Sequence, residues 1–453
     1  MASAEVVQTG GATPVTGRTF LRLVRNALTL FCGSALQTVA GLMTLAVTAR
    51  TLGPERFGVL VLANTYATIV VQLVGFQSWQ PLIRYGSALL HAQDERGLGS
   101  LVKLGAWVDA SASVVAAAVT VLGVLVFAQL RSLDDETVWI ACVFGIANVF
   151  SVTGAPTAVL RLFDKYQVFV RHSAWSGLAK LAIIVPVAIA GADTLAFGIA
   201  WAVTQVVTNI LLCYLALQCW RAQGYAPIAS YTASQALRQH EGIVGFFFSS
   251  NLSGTMRVLR ELDVPIVGLA LGSAAAGGFR LARQIANCLN KAIDPFFNAI
   301  YPDLSHMHAQ GLMAEATGLV RKSALYLGAA AVVALGLFLL IGQPAIVLAL
   351  GESFSGIFAT AAWCVLGSVF WAFAQPLSPM LIVLGRHRAV LAVNAAATAV
   401  YLGAVIAGCY SLGMVGAGLS YAGYLLLWTL AMGTLLAAAI RSDGQIKAPS
   451  ECM

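Results

Sequence analysis

Charge is scarce in this chain. Of 453 residues only 10% are Asp, Glu, Lys or Arg, while 59% are hydrophobic. Soluble domains carry about 25% charged residues, because water must meet a polar surface. The composition therefore excludes a soluble fold and indicates an all-α polytopic membrane protein. A hydrocarbon core of about 30 Å takes roughly 20 apolar residues per helix. Twelve spans consume about 250 residues, and the rest is too dispersed for a soluble catalytic domain. Other features are missing as well. The eight cysteines (Cys32, Cys142, Cys213, Cys219, Cys288, Cys364, Cys409 and Cys452) occur singly, seven of them in apolar runs. With no C-x-x-C and no histidine at ligand spacing, neither a disulfide framework nor a metal site is expected. No G-x-x-x-x-G-K-[ST] occurs, so this chain holds no P-loop motor, and no cofactor is expected. The first apolar run, about 27–49, is too long for a cleaved signal segment and is expected to stay as a membrane helix.

Apolar runs between charged breaks predict twelve helices near 26–49, 57–80, 104–129, 137–160, 173–191, 194–219, 242–271, 277–300, 322–347, 355–384, 388–410 and 413–440. The odd-to-even gaps are short, as at Gly53-Pro54-Glu55 and Gly272-Ser273-Ala274, and hold about three Lys or Arg. The even-to-odd gaps and both ends hold about seventeen, including Arg84, Arg96, Lys103, Arg161, Lys165, Arg171, Arg386 and Arg388. Positive residues mark the cytoplasmic side, so both termini are expected inside. The net charge of +7 is then mostly a topology signal, and no nucleic-acid partner is indicated. Asp134-Asp135-Glu136 reads as an acidic helix start, favoured over metal or acid–base chemistry.

An internal repeat organises the spans. Leu52, Gly53, Gly58 and Ala63 match Leu271, Gly272, Gly277 and Ala282, every pair 219 positions apart. Each Leu-Gly ends an odd helix and each later Gly opens an even one. Six helices per half preserve orientation, so the repeat is parallel, about an axis along the membrane normal. The expected division is a six-helix lobe over 1–220, a cytoplasmic connector over 221–241 that lies on the headgroups, a second six-helix lobe over 242–440, and a tail over 441–453.

A few charges sit where lipid should be. The seventh run contains Arg257, Arg260, Glu261 and Asp263; read as one helix of about 30 residues, it places Arg257 roughly 22 Å from its inner end. On the eighth, Arg280, Arg283, Gln284, Asn287, Lys291, Asp294 and Asn298 follow helical spacing and form one polar stripe. Each Arg or Lys at the bilayer centre costs about 2.5–3.5 kcal/mol, so five facing lipid would cost on the order of 12 kcal/mol. They face a wet interior or pair internally. Arg257–Glu261 and Lys291–Asp294 have the spacing to pair on their own helices, and Arg280 could snorkel; the favoured expectation is a cationic cavity wall suited to an anionic substrate. The first lobe contributes Gln37, Asn64, Thr68 and Gln72, with Asn64 at the repeat position of Arg283. For these, an interhelical hydrogen bond is the simpler reading. Asp109, Asp263 and Asp294 are the candidate coupling groups.

Several segments carry a family resemblance. Leu52-Gly53-Pro54-Glu55-Arg56-Phe57-Gly58 is similar to an LGPe-x-fG turn after helix one. Asp263 followed by Leu271-Gly272 and Gly277-Gly278-Phe279 resembles a D…LG…GxY segment, with Phe279 for the usual tyrosine. Tyr301-Pro302-Asp303-Leu304-Ser305 and Gly351-Glu352-Ser353-Phe354 resemble its P-x-L-S and G-x-x-F elements. Over most of 20–440 the chain resembles the bacterial polysaccharide transporter (Wzx-type oligosaccharide flippase) family, in the superfamily that includes multidrug (MATE) exporters. The resemblance implies an inner-membrane flippase, not an enzyme, that moves an undecaprenyl-diphosphate-linked oligosaccharide of O-antigen, capsule or exopolysaccharide type. Its partners would be that lipid-linked oligosaccharide and membrane lipid, with glycan polymerase and chain-length proteins as candidate pathway partners. The expected substrate-binding set is Arg257, Arg260, Arg280, Arg283, Gln284, Asn287, Lys291 and Asn64. The alternatives are a multidrug or other lipid exporter of the superfamily, or a polyprenyl-dependent membrane glycosyltransferase or polymerase.

Overall fold

The computed structural model describes residues 17–76, 78–131, 134–239, 242–247 and 258–447, with side chains described from 36 onward apart from 295, 297–299, 302 and 442–447. Every regular element among them is helical: α1 (Gly17–Val74), α2 (Trp79–His91), α3 (Glu95–Arg131), α4 (Asp135–Ala147), α5 (Gly154–Leu162), α6 (Tyr166–Ile189), α7 (Thr194–Ala222), α8 (Ala233–Gln239), α9 (Asp263–Leu271), α10 (Ser273–Ala309), α11 (Met313–Leu350), α12 (Ile357–Ala374), α13 (Leu377–Val383) and α14 (His387–Lys447). Residues 243–247 add a helical turn and a half before α9. Eight stretches of these helices are long and apolar enough to cross a membrane. Ile189, Leu340 and Leu348 are 82%, 78% and 78% exposed. Each would forfeit about 1.5–3 kcal/mol in water, so these faces belong to lipid.

The repeat is visible in the backbone. Gly53 breaks α1 with φ 73° and ψ 174°, and Gly272 separates α9 from α10 with φ 91° and ψ 173°. Glycine adopts this region without a Cβ clash, so one residue ends a helix and starts the next. The two second helices then cross at their matched glycines. A Cβ on Gly277 would lie 3.0 Å from the Gly58 Cα, and one on Gly58 would overlap the Ser273 carbonyl. Arg50 donates to the Leu348 carbonyl at 2.7 Å, and Phe57 meets Phe354 edge-on at 6.2 Å. The lobes are thus sealed together at the Gly53/Gly272 end.

Four local expectations change. The fourth span is not one helix over 137–160: α4 ends at Ala147, a 3-10 turn covers Asn148–Phe150, and α5 begins at Gly154. Groups on three other helices meet the polar atoms of the gap, as a membrane requires. Asn148 donates to the Ala67 carbonyl at 3.2 Å, Gln205 donates to Asn148 at 3.3 Å, and Asp109 accepts from the Ala155 amide at 2.7 Å. Pro156 sits in the first turn of α5, where its missing N–H is not needed. In the seventh span, Arg260–Leu262 form a 3-10 turn rather than regular α-helix. The second span ends at Val74, five residues before α2 begins. The tenth divides into α12 and α13, with Pro376 just ahead of α13. The acidic start is as expected, with Asp134 capping α4 through the Thr137 amide at 3.1 Å.

The seventh span is shared between the lobes. Ile243 and Phe247 pack with Leu82, Leu101, Leu104 and Ala155 of the first lobe, whereas Val264 and Val267 belong to the core of the second. The preceding connector folds onto α3. Lys103 donates to the Ala229 carbonyl at 2.8 Å and also to that of Tyr231, whose ring fills the notch over Gly99. The Trp220 indole donates to Ala226 at 2.8 Å and stacks on Tyr225 at 4.6 Å.

Candidate functional site

A cavity of ≈ 630 Å³ opens between the lobes. Gln37 and Asn64 of α1, Lys180 of α6, and Trp201 and Gln205 of α7 form one wall; Gln284 and Lys291 of α10 form the other. The volume falls in the range of small-molecule sites. Its lining is amide, hydroxyl and ammonium chemistry on helices that otherwise face lipid or core. Periodicity explains this: α10 presents Gln284 and Lys291 seven residues apart on one face.

The stripe on α10 does not act as a single wall. Gln284 and Lys291 reach the cavity, whereas Arg280 and Asn287 are half-buried outside it. Lys291 pairs with Asp294 at 3.0 Å; their side chains are 56% and 41% exposed. Arg283 is a correction to the cationic-wall expectation. Its guanidinium turns into the second lobe, pairs with fully buried Asp263, and lies 5.0 Å from the Tyr421 ring. The Tyr401 hydroxyl donates to the same Asp263 oxygen at 2.5 Å. Burying this cation is tolerable only with a carboxylate beside it, and Asp263 twenty residues earlier supplies one. Arg260 likewise turns to the second lobe and donates to the Tyr424 hydroxyl at 3.1 Å. Arg257 lies outside the described residues.

Asp109 belongs to a separate cavity of ≈ 160 Å³ between the first lobe and Val258 of the seventh span, lined also by Gln72, Ser113, Ser151 and Thr153 at the break in the fourth span. It is buried, faces the Ser78 hydroxyl across Gly154, and does not line the inter-lobe cavity.

Sequence reasoning missed Lys180, whose ammonium lies 3.9 Å from the centre of the Trp201 ring. A signal existed: it is the lone cation in the middle of an apolar helix, fourteen residues past Tyr166. Trp201 and Gln205 had no such signal, nor had Tyr401, which joins Asp263 from 138 residues away. Among the described residues no group of His, Cys, Asp and Glu could hold a metal ion.

Two helical lobes sealed at one end, with a polar cavity between them, define a transporter-like fold of the MATE type. An inward-facing multidrug resistance MATE family transporter of the MOP superfamily superposes with a TM-score of 0.63 at 14% identity, covering 93% of this chain and 96% of that one. A MOP superfamily transporter from Pyrococcus furiosus, described as having a binding pocket of reverse polarity, gives 0.56 at 12% identity over 94% and 96%. Residues 23–308 match the model of the polysaccharide biosynthesis protein family, and the chain belongs to that family. The inner membrane protein YghQ of Escherichia coli K12 is 23% identical over 345 residues, which is 74% of this chain and 94% of that protein.

Proposed function

We propose that the protein is a flippase that moves a diphosphate-linked polyprenyl oligosaccharide from the cytoplasmic to the periplasmic leaflet of a bacterial inner membrane. The observation that carries this reading is the cavity between the lobes, whose walls combine amides with ammonium groups inside an otherwise apolar bundle. Amides suit sugar hydroxyls and cations suit a diphosphate. The prenyl tail stays in lipid beside the gap. Asn64, Gln284 and Lys291 are the contact residues, with Arg280 and Asn287 entering as the cargo fills the cavity. Arg283 and Asp263 hold the second lobe together. Asp109, at the broken span of the first lobe, is the candidate coupling group.

The basic ends of the helices (Arg84, Arg96, Lys103, Arg161, Arg386) lie opposite the Gly53/Gly272 seal, which supports a periplasmic seal with both termini inside. On this arrangement of twelve spans the conformation is open to the cytoplasm. Rocking of the lobes would part the Gly58–Gly277 crossing and close the opposite end. The chain makes and breaks no bond in this scheme.

Depletion of the protein in its native cell tests the reading. It should remove surface glycan and accumulate complete lipid-linked repeat units on the cytoplasmic leaflet. Single repeats accumulating on the periplasmic leaflet instead would identify a polymerase and refute the proposal.

A further inference from the structure

Arg161 is held by aromatic rings and answered by no carboxylate. It sits in the last turn of α5. Its guanidinium carbon lies 4.6 Å from the centre of the Trp79 ring of α2 and 5.5 Å from that of Phe169 of α6. Its Nε is buried and meets no hydrogen-bond acceptor among the described residues. Nor does any carboxylate among them lie within ion-pair distance; Asp164, three residues on, is exposed and forms no pair with it. Rings hold a guanidinium without neutralising it, so the charge is left over. The surroundings add to it. Lys165 stands at the start of α6, which has no acidic residue in its first turn and no side-chain cap. A cation there opposes the helix dipole. Counted at 1.5 Å per residue from Asp135, Arg161 lies about 39 Å along the fourth span, beyond a hydrocarbon core of about 30 Å. That is the level of the lipid phosphates. Arg161, Trp79 and Phe169 line neither of the two cavities, and Tyr166 and Trp175 on α6 are exposed.

We propose that Arg161, with Trp79, Phe169 and Lys165, is a binding site for the phosphodiester of an anionic membrane phospholipid of the phosphatidylglycerol class. A guanidinium at head-group depth offers paired N–H donors to phosphate oxygens. The two rings fix its position, so little side-chain freedom is lost when the phosphate arrives. Basic pockets between helix ends recognise acidic head groups in this way. A zwitterionic lipid brings its own cation to the phosphate and gains less. The site also has a mechanical consequence. Arg161 and its two rings belong to three different helices, so a phosphate seated there ties the end of α5 to α2 and α6. α5 has nine residues and is separated from α4 by the break at 148–153, and the lipid braces this detached half of the fourth span. The site serves the lipid around the protein and is independent of what the inter-lobe cavity carries.

Amide hydrogen exchange across residues 154–169 of the full chain in nanodiscs tests the proposal. Replacing phosphatidylcholine with phosphatidylglycerol should slow exchange there about tenfold in the wild type. Soluble glycerol 3-phosphate added to phosphatidylcholine nanodiscs should not. Arg161→Gln should exchange equally in both lipids. Arg161→Lys keeps the charge without the paired donors and should retain part of the slowing, which separates loss of the site from loss of the fold. Arg388→Gln removes an exposed cation at the start of α14 and should leave the slowing intact. Equal wild-type exchange in the two lipids, slowing that survives Arg161→Gln, or its loss in Arg388→Gln would overturn the proposal. The same slowing produced in pure phosphatidylcholine by glycerol 3-phosphate or by farnesyl diphosphate would also overturn it, because the site would then take a free phosphate or the cargo rather than membrane phospholipid.

Discussion

Replacing Asp263 with alanine should unfold the second lobe more readily than any single change at the cavity wall. Asp263 is fully buried, and one of its oxygens serves both the Arg283 guanidinium and the Tyr401 hydroxyl. The Arg283 side chain is only 14% exposed, so water cannot replace the lost partner. Removing one member of a buried ion pair costs about 3–5 kcal/mol. Stranding the Tyr401 hydroxyl adds up to about 1–3 kcal/mol, and the two losses overlap because they share one oxygen. Against a typical total of about 5–15 kcal/mol, this is enough to deplete the folded protein. The double variant Asp263→Leu/Arg283→Met removes both charges and should recover most of the loss, since paired removal is often neutral. Thermal unfolding in detergent, together with membrane abundance, reads both. An Asp263→Ala protein as stable as wild type, or a double variant less stable than the single, would refute the reasoning.

Three further outcomes follow from other parts of the molecule. Gly58→Val places a Cβ against the Ser273 carbonyl, so the seal cannot form; cysteines introduced beside Gly53 and Gly272 should become accessible to a periplasmic thiol reagent and transport should fall, whereas unchanged protection would contradict the close crossing. Asp109→Asn keeps an acceptor for the Ala155 amide and should fold normally while losing transport if Asp109 couples it; Asp109→Ala should cost about 1–2 kcal/mol in addition, read as a lower unfolding temperature, and wild-type transport by the Asn variant would remove Asp109 from the coupling set. Lys103→Ala releases the carbonyls of Ala229 and Tyr231 and should speed proteolytic cleavage within 223–239; equal cleavage rates would show that the connector is held by its aromatic contacts alone.

Much of the architecture was legible because a bilayer leaves the backbone few solutions: apolar run lengths and charged breaks locate helices that cannot be anything else. The repeat was legible at Gly53 and Gly272 for a related reason, as only glycine permits a one-residue reversal there. The broken fourth span was not. Asn148, Ser151 and Thr153 alone do not set residues 148–153 apart from a membrane helix, and the groups that tolerate the break, Asp109 and Gln205, arrive from other helices. The same reason hid the fate of Arg283. Helical spacing places it on the stripe with Gln284, but Asp263 and Tyr401, which turn it away, are set by tertiary packing. Lys180 was readable as an isolated cation in an apolar helix. Its position over Trp201 was not.

The central claim is that this cavity carries a diphosphate-linked glycan across the membrane. Proteoliposomes holding the purified protein and a fluorescent polyprenyl-diphosphate oligosaccharide test it directly, with membrane-impermeant quenching reporting the leaflet. The account predicts translocation faster than in protein-free liposomes, slowed by Gln284→Ala/Lys291→Ala, and no effect on the matching polyprenyl monosaccharide that lacks a phosphate. Translocation at the protein-free rate, or equal transport of the uncharged lipid, would contradict it.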